Sequence, residues 1–147
     1  MCEENALVGS QQVIDAWGYW PSFHDAKVIS FSVERALPFE SGHAIARLSV
    51  HIRRYEVVGE GTVNYKQALR ASVLVRFVFN GACELALTDF NHQNVINAIR
   101  VSTFSSESGK SESRLLIEID PIWGFGNTFQ CKSAAVEAVE ILSNTET

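Results

Sequence analysis

The chain has 147 residues, 46% of them apolar and 20% charged, with a net charge of -5. That length suits one domain, residues 1–147, large enough for a real core. The acidic balance speaks against a nucleic-acid binder, which needs clustered Lys and Arg for phosphate.

Residues 1–9 and 143–147 read as frayed ends. Ser10 caps a predicted helix whose apolar positions Val13, Ile14 and Trp17 recur at helical spacing, and Gly18 ends it. Pro21 then forces Trp20 into extended or turn geometry. From Val28 the period becomes two: Ile29, Phe31 and Val33 alternate with Ser30, Ser32 and Glu34. Ala46, Leu48, Val50 and Ile52 oppose Arg47, Ser49, His51 and Arg53, the pattern of a strand with a dry and a wet face. The turn-like residues 38–42 between these runs predict a hairpin.

Residues 59–62 mark a loop, and residues 65–69 are undetermined. Val73, Val75, Phe77 and Phe79 alternate with partly apolar neighbours, so this run predicts a central strand. Asn80-Gly81 follows, the strongest two-residue hairpin signal, with Cys83, Leu85 and Leu87 expected on the returning strand. Residues 89–94 form a polar turn. Residues 95–104 fit either a helix or a strand. Residues 105–113 read as a polar loop, and Leu115, Ile117 and Ile119 as a strand. Residues 121–127 read as a loop anchored by Trp123, and Phe129 with Cys131 as a short strand. Residues 134–142 again fit either helix or strand. Short turns between strands predict a mostly β fold with minor helix content: an antiparallel sandwich or partly open barrel with one or two short helices.

The chemistry candidates are few. Cys2, Cys83 and Cys131 are odd in number and lack a C-x-x-C spacing, which points to a reducing compartment. The acidic N-terminus lacks the pattern of a signal peptide, and no apolar run reaches membrane-spanning length, so a cytoplasmic protein with no membrane partner is expected. His24-Asp25 fits a turn-closing hydrogen bond better than catalysis, which also wants a nucleophile in reach. His24, Asp25, Asp89 and His92 would hold a zinc-like ion only if the fold brought them together, and no local ligand spacing supports that. His43 and His51 read as surface residues. Trp17, Tyr19, Trp20 and Trp123 are either plugs of the core or interface anchors, with plugs favoured. No cofactor motif is present.

Three segments in succession carry a resemblance. They are Trp20-Pro21-Ser22-Phe23-His24-Asp25-Ala26, then Asp89-Phe90-Asn91-His92-Gln93-Asn94-Val95-Ile96, then Phe129-Gln130-Cys131 with the Val- and Ala-rich close. Their order resembles the immunity protein 50 family of bacterial polymorphic toxin systems, from about Trp17 to Ile141. The resemblance implies a non-catalytic cytoplasmic protein that binds and neutralises a cognate toxin. It implies no catalytic residue, metal or cofactor. Trp20, Phe23, His24, Asp25, Asp89, Phe90, Asn91, His92 and Asn94 are its motif residues, structural or interfacial. A basic toxin domain would suit the acidic chain. A small metal-assisted hydrolase using His24, Asp25, Asp89 and His92, and a small-ligand-binding β barrel, stand as alternatives.

Overall fold

A computed structural model describes residues 7–35, 44–86, 88–105 and 113–142. Its elements are β1 (Leu7–Val8), α1 (Ser10–Trp17), β2 (Lys27–Arg35), β3 (Ala44–Val58), β4 (Lys66–Asn80), β5 (Val95–Ser105), β6 (Ser113–Trp123), β7 (Asn127–Cys131) and β8 (Ser133–Ile141). The eight strands make one open sheet in the order β1-β8-β4-β3-β2-β5-β6-β7. The fold is mostly β with one helix, and the sheet is not closed into a barrel.

The alternating runs form the centre. β3 and β4 pair antiparallel, from Ile45 opposite Asn80 to Val58 opposite Lys66. Their inner faces, Ala46, Leu48, Val50, Ile52, Val73, Val75, Phe77 and Phe79, are all buried. The other wing, β5–β6–β7, adds Ile96, Ile99, Val101, Ile117, Ile119 and Phe129. Five strands separate β7 from β8 in the sheet, yet Lys132 alone joins them in the chain. The sheet must therefore curl so that its wings face each other. Ring contacts span the gap: Phe129 meets Phe79 at 5.2 Å, and Phe125 meets Phe31 at 5.1 Å between centroids.

Both ambiguous segments are strands, and β-bulges explain why they looked helical. An extra residue in one strand shifts its inward positions from a step of two to a step of three. In β5 the register shifts around Ile96–Ala98, and the buried residues run Ile96, Ile99, Val101. In β8 it shifts at Glu137, so Val136 and Val139 face Phe77 and Val75. In β2 the shift at Ile29 leaves that residue exposed and Val28 buried, against the expected inward Ile29.

Several other expectations are corrected. Asn80-Gly81 is no hairpin tip. Only Gly81 has a positive φ (68°), whereas the two-residue turn expected there needs both residues left-handed. Asn80 already has partners on both sides, Ile45 and Ser133, so a returning strand would find no free edge. Cys83 makes an isolated bridge to Gln130 instead, Leu85 lies outside any strand, and Leu87 lies outside the described residues. The sheet is mixed rather than wholly antiparallel, because β1 runs parallel to β8 with Leu7 opposite Ala134. Residues 7–9 are thereby tied down, and Leu7 is buried. Ser10 is the first helical residue rather than the cap; Gly9 takes that position without a side-chain cap. The expected loop at 121–127 narrows, since β6 continues through Pro121, which sits opposite the β5 bulge where a missing N–H is tolerated. The turn at 38–42 and the frayed 143–147 lie outside the described residues.

Candidate functional site: a basic, aromatic cleft at the sheet corner

The first two motifs meet in space. Where β2 passes to β5, Asp25 N–H donates to Ile96 O (2.9 Å), Ile96 N–H to Ala26 O (2.9 Å) and Val28 N–H to Asn94 O (2.8 Å). This corner joins the two wings of the sheet. Phe23 and Asp25 both take positive φ, 64° and 67°, to make the turn, and Ala26 N–H closes it on Phe23 O.

Asn94 clasps the corner to the far turn. It is 4% exposed, and its Oδ1 accepts from Asn91 N–H (2.8 Å) and Phe125 N–H (3.3 Å). Asn91 Oδ1 in turn accepts from Gln93 N–H (2.8 Å). Gly124 fits against this pair because a Cβ there would lie 2.7 Å from Asn91 Oδ1 and 2.9 Å from Asn94 Oδ1. Phe90 is half exposed and packs edge-on against Phe125, while Asp89 and His92 are exposed.

His24 and Asp25 point outward. Their side chains are 57% and 71% exposed, with Nε2 and Oδ1 3.6 Å apart. Asn97, on the β5 bulge, donates its amide to Asp120 (3.0 Å), so its Oδ1 is the acceptor and His24 Nδ1 the donor at 2.9 Å. Arg100 continues the chain to Asp120 (3.2 Å) and Glu118 (2.8 Å). The Asn97 hydrogen bond, aided by Arg100, holds the Asp120 carboxyl below its ordinary range. The arrangement fixes one exposed imidazole, with Nδ1 toward Asn97 and Nε2 toward Asp25. Among the described residues no three His, Cys, Asp or Glu side chains cluster as a metal site, so His24, Asp25, Asp89 and His92 do not form such a group.

Beside this corner lies a cleft of about 450 Å³. Trp17, Tyr19 and the first motif, Trp20 to Ala26, form one wall, and His51, Ile52, Arg53 and Tyr55 the other. Trp17 is buried and Tyr19 exposed; Trp20 is half-buried against Phe23. Arg54 lies over Trp17 (4.8 Å) and Tyr19 (5.7 Å), and Arg53 over Tyr55 (5.7 Å). His51 bonds buried Ser72 (2.7 Å); burial first, then Arg53 and Lys27, lower its pKa. Trp123, the remaining aromatic, is 59% exposed at the end of β6, opposite Val95. The aromatics thus divide: Trp17 and Trp20 plug, while Tyr19 and Trp123 stand out. His43 lies outside the described residues.

Sequence reading missed Arg53 and Tyr55 as cleft residues, Arg54 beside them over Trp17 and Tyr19, and Asn97 as the partner of His24, with Asp120 and Arg100 behind it. A signal for the first group was present. Inward apolar alternation stops at Ile52 and resumes at Val73, and no apolar residue between them is fully buried.

These features define a class: an open, curled β-sheet protein with an aromatic, basic cleft at its corner. The chain belongs to the immunity protein 50 family, whose model matches residues 9–142. No curated protein and no solved structure matches it. The family suggests an immunity protein with a non-enzymatic role, and it implies a toxin as partner. Among the described residues no helix is long and apolar enough to cross a membrane.

Proposed function

We propose that this chain is a cytoplasmic immunity protein of a bacterial polymorphic toxin system, which neutralises a cognate toxin by binding it and blocking its active surface without catalysis. The observation that carries this reading is the family match over residues 9–142. The geometry is in keeping with it. Occlusion requires a stiff scaffold and an exposed, complementary face, and the curled sheet presents Tyr19, His24, Asp25, Phe90, His92 and Trp123 at or near one corner. In this reading Phe23, Asn91 and Asn94 shape the corner, and the exposed motif residues meet the partner.

The test is co-expression of the toxin encoded beside this gene, with and without the chain, followed by co-purification. The expected result is survival together with a stable complex burying at least about 1,000 Å². Survival without a complex overturns occlusion, and no rescue by any neighbouring toxin overturns the immunity role.

A further inference from the structure

Among the described residues, the far end of the β3–β4 pair has no flanking strand. β2 covers β3 only as far as His51, and β8 covers β4 only from Val73 onward. Ser72 O still accepts from Leu142 N–H (2.9 Å); among the described residues, the strands beyond it pair only with each other, from Arg54 opposite Ala71 to Val58 opposite Lys66. Two strands alone are marginally stable in water and normally bury a face. This arm instead exposes Tyr55 (47%), Val57 (43%), Val63 and Tyr65 (58%). Tyr55 belongs to both the arm and the cleft, so the two make one continuous surface.

That surface is locally cationic. The acidic side chains outnumber the basic ones over the whole chain, but the excess sits in residues 1–6, 36–43, 106–112 and 143–147. Arg70 of the arm is neutralised by Glu56 at 2.7 Å. Arg53 and Arg54 have aromatic rings beneath them and no carboxylate partner among the described residues. Among the described residues Asp25 is the single carboxylate lining the cleft. Trp17, 6% exposed, and Trp20 also line it, and each keeps a buried indole N–H with no acceptor. A buried donor without an acceptor is costly and uncommon in a finished fold. Tyr, Trp and Arg are the residue types that dominate binding energy at protein interfaces, and an arginine held on an aromatic ring is pre-set for a bidentate carboxylate contact.

We infer that the cleft and the β3–β4 arm extend the partner-binding surface from the corner, and that the cleft receives an acidic segment of the partner protein, an Asp or Glu side chain seated against Arg53. This deepens the immunity reading and rests on it for the partner's identity. It reverses the charge expected from composition: the acidic chain presents a basic face to an acidic element of the toxin.

Two measurements separate the inference from the reading it rests on. The first uses the whole protein and a Glu- and Tyr-containing dodecapeptide, with its Glu→Gln counterpart and inorganic phosphate as controls, followed by tryptophan fluorescence. The expected result is a saturable change with the Glu peptide, at least tenfold weaker with the Gln peptide, and lost in Arg53→Glu. Equal binding of the two peptides, phosphate binding as strong as the Glu peptide, or no response to any probe overturns the acidic-segment assignment. The second measures the Kd of the neighbouring toxin. Arg53→Glu should weaken it by about thirtyfold or more and Tyr55→Ala by about tenfold, as for interface hot spots, while Arg76→Glu, outside the cleft lining and beside Glu140 of β8, leaves it unchanged. Arg53 is exposed and lies over Tyr55, so its reversal should leave the melting midpoint in place; Arg54→Gln, which removes the cation over Trp17 and Tyr19, serves as a milder second probe beside the cleft. A toxin that binds and is neutralised equally by all these variants overturns the surface while the immunity role stands. A toxin that neither binds nor is neutralised by the unaltered chain overturns that role instead, and the peptide result then judges the cleft alone.

Discussion

Asn94→Ala tests the clasp at the sheet corner. The substitution removes the acceptor for two backbone donors, Asn91 N–H at 2.8 Å and Phe125 N–H at 3.3 Å. The Phe125 donor is buried, and orphaning it costs about 1–3 kcal/mol. The Asn91 donor is partly exposed and recovers some water, so it adds less. Asn94 also sits at φ 44°, a left-handed conformation that Asn tolerates and Ala resists by about 1 kcal/mol. Together the loss is about 2–4 kcal/mol, or roughly 5–15 °C in melting midpoint for a domain of this size. Urea unfolding checks it, with an unchanged m-value showing that only stability moved. Two companions divide the causes: Asn94→Gly keeps the backbone freedom but loses the acceptor, and Asn94→Asp keeps an acceptor. A loss under about 1 kcal/mol for Ala, or an Asp variant as unstable as the Ala one, would refute the hydrogen-bond account.

Other consequences are checked the same way. Gly124→Ala should destabilise the same corner, because its Cβ would press on Asn91 and Asn94 from a φ of 88°; a neutral melting curve would count against the clasp. Asp25→Gly should leave stability near its original value while Asp25→Ala loses about 1 kcal/mol, since the side chain is exposed and the cost lies in the φ of 67°; equal loss in both would place the value in the carboxylate instead. His51 is held neutral in the fold, its pKa lowered below 6.5. The stability it contributes is therefore full above pH 6.5 and is lost as pH falls through its folded value, and His51→Gln should flatten this part of a urea-midpoint profile measured from pH 8 to 5. Burial raises the Cys131 thiol to about 12, so a maleimide should label Cys83 in the native protein and reach Cys131 only on unfolding; native labelling of Cys131 would contradict its place in the core.

Local patterns carried the parts of this fold that local physics decides. The helix from Ser10 to Trp17, its stop at Gly18 and the alternation of β3 and β4 all express positions two or three to four residues apart. What stayed hidden depends on neighbours distant in sequence. The bulges that put Val28 with Phe31, Ile96 with Ile99 and Val136 with Val139 exist because a partner strand sets the register, and in one dimension they imitate a helix. Asn80-Gly81 misled for the same reason: the edge it would have turned onto was already filled by β8, more than fifty residues later. At the site, the first two motif segments were visible as residues, but their meeting at one corner was not. Arg53 and Arg54 carried no motif at all, and only the end of the apolar alternation at Ile52 marked their strand as leaving the core.

The place of β8 bears on how the molecule is made. This late strand lies between β4 and β1, so Leu7 waits for Ala134, and the inner edge of β4 waits for Ser133 to Ile141. While the chain is being synthesised, β4, a central strand of the sheet, keeps an open flank. Contacts so distant in sequence form slowly, and an uncovered strand edge invites pairing with other chains. A nascent chain ended before residue 133 should therefore be held by chaperones or aggregate rather than fold in part. If the protein guards its own cell, protection begins only when this strand has left the ribosome, and the order in which toxin and guard are translated becomes a matter of survival.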